Sequence, residues 1–140
     1  MSLIENIRKY MSSCPLLDGG SINIDFLSSS NIEYTIETVP CEPVIKYFIG
    51  GSSLRQYEFI LASREFYGTD VVQNIQNSEF YENLAHWIEE NSKNKILPVL
   101  ENEKQSADKI EILTHGALIS EDAKTAVYQI QLRLIYFQLV

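Results

Sequence analysis

The chain has 140 residues, 45% of them hydrophobic, with six Phe, eight Tyr and a formal charge of −8. That length builds one domain, residues 1–140, with its own core, and the apolar content excludes a disordered chain. The acidic balance argues against sequence-independent nucleic-acid binding. Cys14 and Cys41 are too few for a disulfide framework and read as reduced thiols of a cytosolic protein. No apolar run approaches the ~20 residues of a membrane span, and the charged start is no secretory signal.

Leu3, Ile4, Ile7, Tyr10 and Met11 recur at helical spacing, with Glu5, Arg8 and Lys9 on the other face. The pattern predicts a short amphipathic helix capped by Ser2 and ended by Pro15. Asp18-Gly19-Gly20 reads as a turn. Ile22, Ile24 and Phe26 alternate with polar residues, and so do Ile32, Tyr34 and Ile36, which predicts two strands. Pro40 and Pro43 bracket Cys41-Glu42 and mark a break or an edge. A strand resumes over residues 44–49, Gly50-Gly51 turns the chain, and a second arm runs over residues 54–66. Thr69 or Asp70 caps the main helix, whose stripe of Val72, Ile75, Phe80, Leu84, Trp87 and Ile88 reaches about Asn91. A weak second capping signal at Ser78 allows a kink there. Residues 91–108 read as an exposed loop that Ile96, Leu97, Val99 and Leu100 could anchor in part. Residues 109–114 form a strand, His115-Gly116 a turn or bulge, and residues 117–119 a continuation. Glu121-Asp122 turns the chain into its last strand.

That strand, residues 124–140, carries Ala126, Tyr128, Ile130, Leu132, Leu134 and Tyr136 on even positions, with Gln129, Gln131 and Arg133 between them. It becomes apolar on both faces at Ile135 and Phe137. Sixteen extended residues would span roughly 50 Å, against a diameter of about 37 Å for a compact domain of this size. The strand must bend, bulge or leave the body. If it leaves, its edge is a template for another subunit.

Few groups carry chemistry. His86, beside Trp87 on the main helix, reads as a surface residue. His115 sits at a strand end, a better place for a general base, but no metal-ligand spacing accompanies it. There is no G-x-S-x-G elbow. Gly50-Gly51-Ser52-Ser53 lacks the G-K-[ST] ending of a phosphate cradle and precedes a strand. Glu89-Glu90 are adjacent on a helix, do not converge, and read as a solvated face. The other acids lack calcium-loop order. No cofactor or metal site is expected. Tyr47, Tyr57, Phe59 and Tyr128 suit strand packing, whereas Tyr136 and Phe137 point to opposite faces that one small core cannot both cover.

Three stretches carry a family resemblance: Val39-Pro40-Cys41-Glu42-Pro43; Gly51-Ser52-Ser53-Leu54-Arg55-Gln56-Tyr57 with Ala62-Ser63-Arg64-Glu65; and Tyr128-Gln129-Ile130-Gln131-Leu132-Arg133. With the helix segment from Phe80-Tyr81-Glu82 to Trp87-Ile88, they resemble the small minor tail or capsid proteins of phages and prophages of Gram-positive, clostridia-like bacteria. The likeness covers nearly the whole chain and its motifs are structural. It implies an α+β fold: an antiparallel β-sheet with one long helix packed on it and a short N-terminal helix. It further implies a tail-terminator or tail-completion role, as a hexameric ring capping the tail tube and meeting the head–tail connector, made in the bacterial cytoplasm and carried in the virion tail. Relatives sometimes bear a chloramphenicol-resistance label, but His115-Gly116-Ala117-Leu118-Ile119 lacks the H-x-x-x-D-G motif of the acetyltransferase it evokes.

The resulting expectation is a structural protein, not an enzyme. Its ring contacts come from the strands over residues 54–66 and 124–140, joined by the loop over residues 91–108, with Leu54, Tyr57, Tyr136, Phe137 and Leu139 at the interface between copies. The acidic excess either lines a lumen through which DNA passes without adsorbing or serves solubility. The competing readings are a neck or head-completion adaptor, a small-molecule enzyme using His115 as base, and a stand-alone cytosolic binding domain.

Overall fold

The computed structural model describes residues 2–17, 22–24, 34–66, 71–121 and 125–140. The expected turn at Asp18-Gly19-Gly20, the Phe26 and Ile32 strand positions, the Thr69 or Asp70 cap and Asp122 lie outside the described residues, as do the side chains of Val72, Ile75 and His115.

Helix α1 spans Leu3–Met11, and the Ser2 side chain accepts a hydrogen bond from the Glu5 amide, as the cap pattern predicts. Its end differs from expectation. The helix stops before Pro15 because Ser12 and Ser13 turn their hydroxyls onto the Arg8 and Tyr10 carbonyls, at 2.8 and 2.6 Å. The same two carbonyls also accept the Ser12 and Ser13 amides, at 3.0 Å each, so side chain and main chain close the helix end together. Pro15–Leu17 then forms a 3₁₀ turn.

Six strands form one sheet: β1 (Ile22–Ile24), β2 (Tyr34–Val39), β3 (Val44–Tyr47), β4 (Ser53–Phe66), β5 (Gln105–Glu121) and β6 (Thr125–Gln138). The order is β1-β2-β4-β6-β5, with β3 also paired to β4. All pairs are antiparallel except β1 with β2. β2 and β3 run along the same side of β4, opposite residues 58–63 and 53–55, and the Pro40–Pro43 stretch interrupts them. The prolines therefore break one long edge, since neither can donate to a ladder. Helix α2 (Val71–Lys93) is one continuous helix through Ser78. The architecture is α+β, with the short and the long helix on a largely antiparallel sheet.

Alternation sorts the sheet into two faces. Phe59 and Leu61 of β4 lie opposite Leu132 and Ile130 of β6, and all four are fully buried. Ile36 of β2 and Ile110 of β5 extend this face. Tyr81, Leu84, Ala85 and Ile88 of α2, with Ile7, Tyr10 and Met11 of α1, close the core over it. The two helices meet where the Tyr10 and Trp87 rings tilt together, 5.5 Å between centroids. The Tyr10 hydroxyl donates to the Ile96 carbonyl at 2.9 Å and accepts from Asn91 at 3.2 Å. No described helix is long and apolar enough to cross a membrane.

The final strand does not leave the body. β6 pairs with β4 along its whole length on one side and with β5 on the other, so both its main-chain edges are occupied. The expectation of a free templating edge on residues 54–66 or 124–140 is corrected. β6 is long because its neighbours are long: 14 residues in β4 and 17 in β5. The outer strands are β1, β3 and β5. β5 shifts register four times along its length, and such bulges add twist and spoil an edge as a template.

β5 begins at Gln105, inside the expected loop. Of the four anchors proposed for that loop, Leu100 is buried and Leu97 partly so, whereas Ile96 and Val99 are exposed. The loop opens on a left-handed Lys95 (φ 59°), with the Ile96 amide on the Asn91 carbonyl and the Lys95 amide on the Ser92 carbonyl. That is a Schellman ending with lysine where glycine is usual. Lys95→Gly is expected to raise stability by up to about 1 kcal/mol through relief of the left-handed backbone. The lost pair with Asp108 (3.7 Å) is exposed on the lysine side and offsets little. A melting temperature equal to or below the parent's would contradict this.

Candidate assembly surface

Beyond the level of Ile110, where the Ser92 hydroxyl accepts the strand amide at 3.1 Å, α2 has ended while β4, β5 and β6 run on. This end of the sheet gathers the β3–β4 hairpin tip, the close of β6 and residues 139–140. The tip turns through Gly50 (φ 100°) and Gly51 (φ 97°), with the Phe48 amide donating to the Ser52 carbonyl at 2.8 Å. Only glycine takes such angles without strain. A Cβ on Gly51 would stand 2.8 Å from a Val140 methyl, so the tip and residue 140 touch. The Leu139 amide donates to the Lys104 carbonyl at 2.7 Å and ties this segment to the start of β5.

The residues gathered here are apolar and uncovered. Phe48 (37% exposed) meets Phe137 (38%) ring to ring at 6.3 Å. Ile49 is fully exposed, and Leu139 (55%) and Val140 are exposed at the same end of the sheet. Exposed apolar side chains gathered at one end of a domain in this way mark an interaction surface. Lys46 stacks over the Phe48 ring, 5.4 Å from its centroid, a cation–π contact that keeps a charge at the rim.

The five interface residues expected from sequence divide. Leu54 lies directly across from Phe137 on the sheet face away from the helices, and with Leu139 they belong to the patch. Tyr136 does not. It is 6% exposed, in the core with Leu100, and its phenol is pushed up in pKa by burial. Its place at a subunit interface is corrected: Tyr136 belongs to the same buried core as Leu100 of the loop after α2. Tyr57 is half-buried on the helix face, tilted against Phe59 with its hydroxyl on Thr38. Sequence reasoning missed Phe48 and Ile49. The signal was present: Tyr47-Phe48-Ile49 puts three apolar residues where a hairpin turn is normally polar.

The sheet face away from the helices is polar along its middle. Arg133 donates to Glu111 and, at 3.2 Å, to Gln56, while Lys109 pairs with Glu111 at 3.0 Å. The hydrogen bond from Arg133 holds the Glu111 carboxyl below its ordinary pKa. His86 is exposed on α2, as are Glu89 and Glu90. Among the described residues no group of three or more His, Cys, Asp or Glu side chains could hold a metal ion. An open cleft of about 450 Å³ lies between the end of α2 and β5, lined by Glu89, Lys93, Lys109, Ile110 and Ile112 among others.

No family model and no curated protein matches the chain.

What the arrangement can do is therefore read from its chemistry. An uncovered apolar end beside a polar face is apolar area that contact with another surface would remove from water.

Proposed function

We propose that this protein is a structural subunit of a phage or prophage tail, a terminator or completion protein that closes the end of the tail tube as a ring of identical copies. The observation that carries this reading is the exposed apolar end formed by Phe48, Ile49, Phe137 and Leu139. A monomer gains nothing from such a surface, and covering it removes apolar area from water at about 25 cal/mol per Å². The element order, a short helix, strands, a long helix and two long strands, agrees with the layout that the resemblance to minor tail proteins implies. The net charge of −8 suits a lumen wall past which DNA slides without adsorbing.

Sedimentation velocity and electron microscopy test the reading. The purified protein is expected to form closed rings of about six copies of the 16.0 kDa protomer and to seat on the ends of purified phage tail tubes. A protein that stays monomeric at every concentration and leaves tube ends bare would overturn it.

A further inference from the structure

Nine residues are too few for a helix to persist unaided in water, so α1 exists only while it is docked. Among the described residues no main-chain hydrogen bond ties it to another element, and side chains hold it. Ile7 and Met11 have no exposed surface, Tyr10 has little, and these three carry the docking. Asn6 works against it. It is 2% exposed, and neither its amide nitrogen nor its side-chain oxygen has a partner among the described residues. Docking strips water from both atoms and supplies no hydrogen bond in exchange; undocking restores the water. We propose that Asn6 makes α1 a releasable strap, which lifts from the core while α2 and the sheet stay folded. The proposal goes beyond the ring reading and does not rest on it.

The polar ties of α1 are placed to match. Those to the rest of the fold gather at its last turn, where the Tyr10 hydroxyl bridges the Ile96 carbonyl and Asn91. Lys9 pairs there with Glu101 at 3.7 Å, but the lysine is 74% exposed, and such a pair contributes little. Among the described residues the first turn has no tie of that kind: Ser2 caps the helix's own Glu5 amide, and Leu3 and Ile4 are only partly buried. Asn6 follows that turn, one turn before Tyr10 on the same side of the helix. The seam between α2 and the sheet is built differently. Its buried hydroxyls are paired, Tyr81 with Ser63 and with the Tyr128 carbonyl, so opening it would break hydrogen bonds that lifting α1 at Asn6 does not. Local opening follows the least stable seam of a fold, and here that seam lies between α1 and the remainder.

Cys14 reports the opening. It follows α1 closely and is 1% exposed in the same core, so a thiol reagent reaches it only when this end of the chain lifts. Cys41 is partly exposed and is replaced, Cys41→Ser, in every chain tested. With Asn6 in place, iodoacetamide is expected to label Cys14 at least about thirtyfold faster than the globally unfolded fraction allows. The urea slope of labelling is expected to be below about a third of that for unfolding, because lifting α1 exposes a small share of the surface. Asn6→Leu removes both unmet polar atoms and is expected to slow labelling at least about tenfold. If labelling with Asn6 in place tracks global unfolding at its full urea slope, α1 does not open by itself and the proposal is overturned. That measurement needs no change at residue 6, so it decides the matter even if Asn6→Leu misfolds. If a folded Asn6→Leu slows labelling by less than about threefold, or speeds it, the Asn6 amide is satisfied in the docked helix, as by an enclosed water, and its role as the release point is overturned.

Discussion

Leu84→Ala is expected to lower the unfolding free energy by about 2–5 kcal/mol, the range for truncating a fully buried leucine. Leu84 has no exposed surface and sits at the centre of the α2 stripe, between Tyr81 and Ile88, in the same core as Leu132 and Ile130 of the sheet. Two effects add. The lost methylenes no longer leave water on folding, and the space they vacate stays partly empty, because a helix held on both sides by aromatic contacts cannot collapse onto it. Tyr10 against Trp87 and Tyr81 against Tyr128 fix α2 on either side of the site. For a chain of this size the loss corresponds to a melting temperature lower by roughly 6–15 °C. Urea unfolding followed by tryptophan fluorescence measures it, since Trp87 lies one turn away on the same helix. A change below about 0.5 kcal/mol would mean that α2 does not rest on the sheet through this residue.

That stripe was legible in the sequence for a physical reason: burial on one side of a helix imposes spacing at three and four, and Phe80, Leu84, Trp87 and Ile88 obey it. The strands were legible in the same way. Tyr128, Ile130, Leu132 and Leu134 are buried at every second position as the alternation requires. Alternation reports which face a side chain takes and carries no information on which strands stand beside it. The length of β6 therefore pointed to a free edge, when the strand lies inside the sheet between neighbours at least as long as itself. Part of the core around Tyr136 was hidden too, because Leu100 lies in a loop with no periodicity to mark it. Asn6 breaks the pattern in the opposite direction. It is 2% exposed with no partner for either side-chain polar atom among the described residues, in a helix whose spacing placed it on neither face. Of the candidate surface, Phe137 and Leu139 were named from the apolar close of the last strand and Leu54 from the start of the strand over residues 54–66. Phe48 and Ile49 join them only through the pairing of β3 with β4 and of β4 with β6, which no local pattern encodes.

Gly116→Ala should destabilise the fold by about 3 kcal/mol or more, although it adds one carbon. The His115-Gly116 position was expected to be a turn or bulge, and the register of β5 against β6 does shift between Thr114 and Ala117. The glycine is there for closeness. A Cβ at residue 116 would stand 2.4 Å from both Cβ and Cγ of Tyr81. Those are not the far end of a flexible side chain, so the collision is met by moving α2 or by swinging the ring. Neither is cheap. Tyr81 is 2% exposed, stacks on Tyr128 at 5.8 Å and meets Phe80 edge-on at 5.1 Å. Its hydroxyl lies 2.5 Å from that of Ser63 and donates to the Tyr128 carbonyl at 3.1 Å. Overpacking alone costs about 1–3 kcal/mol, and displacing the hydroxyl leaves buried polar groups without partners at about 1–3 kcal/mol more. Gly50→Ala is the control. Nothing lies within 4 Å of a Cβ there, but the backbone is left-handed at φ 100°, so the expected cost is about 1 kcal/mol from strain alone. Thermal melts of the two variants should rank Gly116→Ala well below Gly50→Ala. The reverse order would mean that β5 and α2 stand further apart than the Tyr81 contact requires, and that the seam between sheet and helix is closed elsewhere.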